Sequence, residues 1–127
     1  MDRAGFNAFC ATLPGAQHVV QWGNSDVWKV GGKLFAVCGW AGENGDKDAF
    51  TFKVSDIAWE VLRDQPGIRP APYLASRGLK WLQHYKSPGL SDNELEIHIR
   101  ASYEMVRAAL PKKTKAALGL PDGAKND

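Results

Sequence analysis

The chain has 127 residues, which fits one domain able to bury a core without disulfide or metal staples. Hydrophobic residues make up 44% and charged residues 24%, both ordinary for a globular protein, and no apolar run approaches the roughly 20 residues that cross a bilayer. The net charge of +2 is too small by itself to argue for a nucleic-acid partner.

The first element reads as a helix. Asp2 is a candidate N-cap, and Phe6, Phe9, Cys10 and Leu13 follow the spacing of one buried face before Pro14-Gly15 ends it. Val19 to Trp22 is a short strand candidate. Val27 to Val30 and Leu34 to Gly39 flank Gly31-Gly32, a pair suited to a tight hairpin turn. Residues 41–48 form a polar, glycine-containing loop. Ala49 to Val54 alternates, with Phe50, Phe52 and Val54 expected toward a core and Thr51 and Lys53 toward water.

Ser55 or Asp56 can cap a second helix over Ile57 to Asp64, with Ile57, Ala58, Val61 and Leu62 as its apolar face. Pro66-Gly67 stops it, and the prolines at 70 and 72 make residues 68–78 extended. Leu79 to Tyr85 is the next strand candidate, with Leu79, Trp81 and Tyr85 on one face and Lys80, Leu82 and His84 on the other. Ser87-Pro88-Gly89 is a turn. The long final helix is the clearest element. Ser91 and Glu94 fit a capping box, and Leu95, Ile99, Tyr103, Val106 and Leu110 recur at helical spacing until Pro111. Glu96 and Arg100 are spaced for an ion pair. Lys112 to Leu118 adds a short basic helix, and 119–127 reads as a frayed tail.

Clustered strands with flanking helices predict an α+β fold, an antiparallel sheet covered by N- and C-terminal helices, in a single domain over residues 1–118. Cys10 and Cys38 make no C-x-x-C pair and read as small buried hydrophobes. The N-terminus has neither the basic start nor the apolar stretch of a signal peptide, so a cytoplasmic location is expected.

Chemistry leaves few traces. His18, His84 and His98 share no metal-type spacing with one another or with a cysteine, and His84 reads as a sheet-surface residue. Gly31-Gly32 and the Gly42 to Gly45 segment match neither phosphate-binding glycine motif. No G-x-S-x-G elbow is present. Asp46, Asp48, Asp56 and Asp64 lie in loops and caps, where acids serve structure. No catalytic residue, cofactor or metal is therefore expected.

The charge distribution says more than its sum. Residues 1–68 carry six Lys/Arg against eight Asp/Glu, and residues 69–115 carry nine against four. Within the second region, Arg69, Tyr73, Arg77, Lys80, Trp81, His84, Tyr85 and Lys86 interleave bases with aromatic rings, and Lys112, Lys113 and Lys115 form a second basic cluster. Cations meet phosphates, and flat side chains stack or wedge against bases. Surface solvation is the plain alternative for the cations, and a core position for Trp81.

Several segments carry a resemblance. They are Leu13-Pro14-Gly15-Ala16, Asp26-Val27-Trp28-Lys29-Val30, Lys33-Leu34-Phe35-Ala36, Phe52-Lys53, Pro70-Ala71-Pro72-Tyr73-Leu74, Lys80-Trp81, Ala101-Ser102-Tyr103 and Leu110-Pro111-Lys112-Lys113. In this order the chain resembles the MmcQ/YjbR-like proteins over roughly residues 3–120. These are small bacterial domains whose fold is similar to CyaY, the bacterial frataxin. The resemblance implies the sheet-and-helix arrangement above and a DNA-binding role, with no catalytic residues to carry over. Frataxins bind iron on an acidic first helix, but here that helix carries only Asp2 near its start, beside Arg3, and hard cations need clustered oxygens.

The expected function is thus a non-enzymatic DNA-binding domain. Arg69, Arg77, Lys80, Lys86, Lys112, Lys113 and Lys115 would contact phosphates, with Tyr73, Trp81 and His84 as secondary contacts. The alternative is a protein- or small-ligand-binding module using the same sheet face or the cleft beside residues 68–81. No membrane partner is expected, and the oligomeric state stays open.

Overall fold

The structure is a computed structural model that describes residues 1–39 and 49–120. The loop expected at 41–48, with Gly42, Gly45, Asp46 and Asp48, and residues 121–127 of the expected tail lie outside the described residues.

Helix α1 spans Arg3–Ala11, and the Asp2 side chain caps it by accepting from the Gly5 amide at 2.8 Å. Three strands follow: β1 (Ala16–Gln21), β2 (Ser25–Val30) and β3 (Lys33–Cys38). After β4 (Phe50–Lys53) come helix α2 (Asp56–Leu62), strand β5 (Ile68–Pro70), a 3₁₀ turn at Ala75–Arg77 and strand β6 (Trp81–His84). Helix α3 (Asp92–Ala108) and short helix α4 (Lys112–Ala117) complete the described chain. The strands form one sheet in the order β1-β2-β3-β4-β6-β5, every neighbouring pair antiparallel. This is the α+β fold expected from the order of elements.

Helix α1 packs beside β1, and α3 lies across β2, β3 and β4. Between helices and sheet sits a core of Phe6, Trp28, Phe35, Phe50, Phe52, Leu82, Leu95, Ile99 and Tyr103 among others. Cys10 and Cys38 are fully buried in it, as their apolar setting implies. The capping box of α3 is complete. The Ser91 hydroxyl accepts from the Glu94 amide at 3.1 Å, and the Glu94 carboxylate accepts from the Ser91 amide at 2.9 Å. The Glu96–Arg100 ion pair does not form. The Arg100 guanidinium instead lies 5.3 Å over the Phe9 ring, where helix α3 meets α1.

Where sequence and structure differ, the reasons are physical. Strand β1 begins three residues before the apolar run that marked it, because an edge strand is fixed by its ladder to β2, not by burial. Its central four residues are exposed. Thr51, expected on a wet face, is buried, and so are Val27, Val37 and Gln83 beside it. The middle of the sheet is therefore dry on both sides. Helix α2 presents Ala58, Trp59 and Leu62 to the core and leaves Ile57 (78%) and Val61 (60%) exposed. The large Trp59 ring claims the inward position, and the helix turns with it. Prolines kept residues 68–78 from an α-helix, yet Ile68–Pro70 still pairs with β6. Proline is tolerated there because β5 is an edge strand. At the other end, Leu120 packs into the core, and its amide donates to the Lys115 carbonyl at 2.9 Å. Packed structure therefore reaches two residues past the expected limit at 118.

Candidate nucleic-acid interface

The β5–β6 edge is built from a stretch with no acidic residue. Between Asp64 and Asp92 the sequence contains Arg69, Arg77, Lys80 and Lys86 and not one Asp or Glu. The ladder pairs Ile68 with His84, Arg69 with Gln83 and Pro70 with Leu82. Two backbone bonds lengthen it, from the Ala71 amide to the Trp81 carbonyl and from the Tyr85 amide to the Gly67 carbonyl, each at 2.9 Å.

Residues 71–80 close the connection between the two strands. Tyr73 sits there with a φ of +70°, a left-handed conformation that a bulky side chain rarely adopts. The Ser76 hydroxyl donates to its carbonyl at 2.6 Å. The Tyr73 ring is 62% exposed, and the Arg77 guanidinium lies 5.7 Å from its centroid. A second cation–ring group forms at the far end of the strands. The Arg69 guanidinium covers the Tyr85 ring at 4.2 Å, and the Lys86 ammonium approaches the same ring at 5.3 Å. Arg69 is held there by its own fork, since Nε and Nη2 both donate to Gln83 Oε1, at 3.0 and 2.7 Å. Gln83 Nε2 in turn donates to Thr51 Oγ1 at 3.0 Å. A buried, hydrogen-bonded row thus anchors a surface cation.

Sequence reasoning missed Gln83 and left Tyr85 out of the contact set. The signal for Gln83 was its place in the strand. It alternates with Leu82 and His84 and so falls on the face opposite the Phe50–Phe52 core.

The remaining expected residues divide. Lys80 lies on this edge, but its ammonium pairs with Asp56 at 3.0 Å. Both side chains are exposed, so the pair is weak and screened by salt. Trp81 is buried, which removes its ring from any surface role. His84 is not a sheet-surface residue either. Its strand position faces the helices beside Phe50, whose ring centroid is 6.0 Å away. Both its ring nitrogens are shielded without a hydrogen-bond partner, and burial holds its pKa below the usual imidazole value. A β-carbon on Gly89 would come 2.1 Å from His84 Nε2, so only glycine allows this approach.

Lys112 and Lys113 are exposed on α4, whereas Lys115 is buried. α4 sits against the β2–β3 turn, where a β-carbon on Gly31 would meet Leu110 Cδ1 at 2.7 Å and Thr114 Cγ2 at 3.1 Å. Strands β4 and β6 stand between that turn and β5. The expected cations therefore form two groups, one on the β5–β6 edge and one on α4, and not a single surface.

One further polar cluster ties α1 to the sheet. Asp26 on β2 accepts from Arg3 Nε at 2.5 Å and pairs with His18 Nε2 at 2.7 Å, while Trp28 Nε1 donates to Asn7 Oδ1 at 2.9 Å. Burial works to raise the Asp26 carboxyl, but hydrogen bonds from His18, Arg3 and Asn7, with the Arg3 charge, leave it below the usual carboxylate range. The residues satisfy one another, as a structural lock does. Among the described residues no group of three or more His, Cys, Asp or Glu is placed to hold a metal ion, and no helix is long and apolar enough to cross a membrane.

A family model described as YjbR matches residues 11–105. The fold is similar to the crystal structure of Deinococcus radiodurans protein DR2400, described with the domain DUF419. The TM-score is 0.78 at 22% identity, covering 98% of this chain and 92% of that one. It is also similar to a protein from Pseudomonas syringae solved as structural-genomics target PsR293. There the TM-score is 0.64 at 23% identity, covering 84% of this chain and 99% of that one. None of the curated proteins matches the chain.

Proposed function

The chain belongs to the YjbR family, and from that premise we propose that it is a non-enzymatic domain that binds DNA along its β5–β6 edge. The observation that carries this reading is an edge whose own segment contains no acidic residue, with a cation stacked on an aromatic ring at each end, although Asp56 from α2 reaches Lys80 there. Arg77 with Tyr73 and Arg69 with Tyr85 and Lys86 present positive charge and flat surface together. Lys80 and Lys86 flank the two ends of β6, roughly 20 Å apart at about 3.3 Å per residue. That span covers several phosphates of one strand, which repeat about every 3.4 Å along a duplex. The cations contact phosphates and Tyr73 stacks on an unpaired or frayed base. Contacts of this kind go to the phosphates and to the faces of bases, so the binding is weak in sequence preference. Lys112 and Lys113 add at most long-range attraction from α4.

The test is fluorescence anisotropy of labelled single- and double-stranded DNA across a salt series. The expected result is binding at low salt that weakens steeply as counterions compete. Arg77→Ala and Lys86→Ala should each lower the salt slope by about one phosphate contact, with a smaller effect from Lys112→Ala. Absence of binding at low salt, or affinity indifferent to salt, defeats the proposal.

A further inference from the structure

His84 sits under a fold-back of the chain. Its strand partner Phe50 lies beside it, and the backbone of Gly89 closes over the Nε2 and Cδ2 side of the ring. Residues 85–89 run between two buried ends, Gln83 with His84 and then Leu90, and Lys86, Ser87 and Pro88 are exposed. Two backbone bonds seat the segment on the turn after α2. The Tyr85 amide donates to the Gly67 carbonyl at 2.9 Å, and the Gly89 amide donates to the Pro66 carbonyl at 3.0 Å. The seat is bare backbone, since a β-carbon on Gly67 would stand 2.2 Å from the Lys86 carbonyl oxygen and 2.6 Å from the Gly89 nitrogen. Both imidazole nitrogens are enclosed here with no hydrogen-bond partner.

We propose that residues 85–89 are a proton-sensitive clasp: protonation of His84 releases the segment and withdraws Tyr85 and Lys86 from the β5–β6 edge. A neutral imidazole carries one N–H. The imidazolium carries two and a full charge, and in the closed clasp neither N–H meets an acceptor. An unpaired buried charge costs far more than two backbone hydrogen bonds. The segment is the part that yields, because on its other side the ring meets Phe50 and the packed core. Among the described residues, the charged groups that bear on the ring from other elements are the Met1 ammonium and the Asp92 carboxylate at the start of α3. These two pair with each other, so neither is placed to answer the imidazolium. Burial holds the His84 pKa below the usual imidazole value, and the Met1 ammonium adds to this, while the ring's own backbone and Asp92 oppose it. Release of the segment restores the ordinary value, so acid favours opening. The clasp rests on the fold alone, and only its effect on the edge rests on the DNA-binding reading.

Amide hydrogen exchange of the full chain, followed by NMR with the intrinsic pH dependence of exchange divided out, tests the clasp. The Tyr85 and Gly89 amides should exchange through a smaller opening than those of β2 and β3. Their opening constant should rise at least about threefold from about pH 7.5 to about pH 5.5, and His84→Leu should abolish the rise. Gly89→Ala, whose new β-carbon forces the segment off the ring, should bring the His84 titration, read at its Cε1 proton, back toward about 6.5. Affinity for single-stranded DNA at fixed low salt should fall as the pH drops through the His84 midpoint, and should not fall in His84→Leu. A chain that opens in this way yet binds no DNA at any pH defeats the binding reading and leaves the clasp standing. Opening that is flat with pH, that keeps its rise in His84→Leu or that matches global unfolding would overturn the clasp, as would a His84 midpoint unmoved by Gly89→Ala. DNA affinity that holds or rises through the midpoint would overturn its control of the edge.

Discussion

The hydroxyl of Ser102, in the middle of α3, donates to the Phe35 carbonyl at 2.6 Å and accepts from the Lys53 amide at 2.9 Å. Phe35 and Lys53 lie on β3 and β4, just past Ala36 and Phe52, the last paired residues at that end. A fully buried side chain thus continues a ladder that the strands themselves leave open.

Removing that hydroxyl strands a carbonyl and an amide inside the core. Ser102→Ala should therefore lower stability by about 2 kcal/mol, the cost of leaving buried polar groups unmet. Urea unfolding at neutral pH reads this directly. A loss below about 0.5 kcal/mol would mean that water or a shift of α3 takes over the bond.

The β2–β3 turn offers a sharper comparison. Gly31 and Gly32 both have positive φ, 58° and 79°, but only Gly31 is pressed, by Leu110 and Thr114. Gly32→Ala should cost only the conformational strain, about 1 kcal/mol. Gly31→Ala should cost that plus displacement of Leu110, about 3 kcal/mol in all. Equal unfolding midpoints for the two variants would show that α4 yields without penalty.

Acid sensitivity should trace to Asp26. Its folded carboxyl lies below the unfolded value of about 3.9, so the unfolded chain binds more protons in that window. Its stabilising share is present above about pH 4 and disappears as the pH falls through the folded pKa. His84 and His98, whose imidazoles burial holds low, shed stability in a separate window, as pH falls through about 6.5. Asp26→Asn should be less stable than the parent at pH 7 and should converge with it toward pH 2.5. Parallel curves of denaturation midpoint against pH would remove Asp26 from the account.

How much of this was readable beforehand depends on what each element answers to. Helix α3 was legible to its cap because local rules and core packing agree along its whole length. Helix α2 was placed with its face half right: Ala58 and Leu62 do meet the core, but Trp59 takes the place expected for Ile57 and Val61, since two overlapping sets of residues fit helical spacing. The row Thr51–Gln83–Arg69 joins three separate strands, and period-two alternation cannot announce that both faces of a sheet are covered. The basic clusters were visible as charge. Their division between the β5–β6 edge and α4 was not, because it follows from β6 inserting between β4 and β5. Burial of Lys115, one turn from exposed Lys112, is likewise a tertiary fact.

Tyr73 separates function from stability most cleanly. A left-handed backbone costs a bulky residue about 1–2 kcal/mol, while glycine at the same place loses about 0.5–1 kcal/mol in unfolded-state entropy. Tyr73→Gly should therefore leave the fold as stable as before or slightly more so. If the exposed ring stacks on a base, the same change should weaken single-stranded DNA binding by about 1–3 kcal/mol, and Tyr73→Phe should retain most of the affinity. Strain kept at an exposed aromatic is then the cost of presenting it beside Arg77. A variant that loses more than about 1 kcal/mol of stability with DNA affinity intact would show that the ring serves the loop instead.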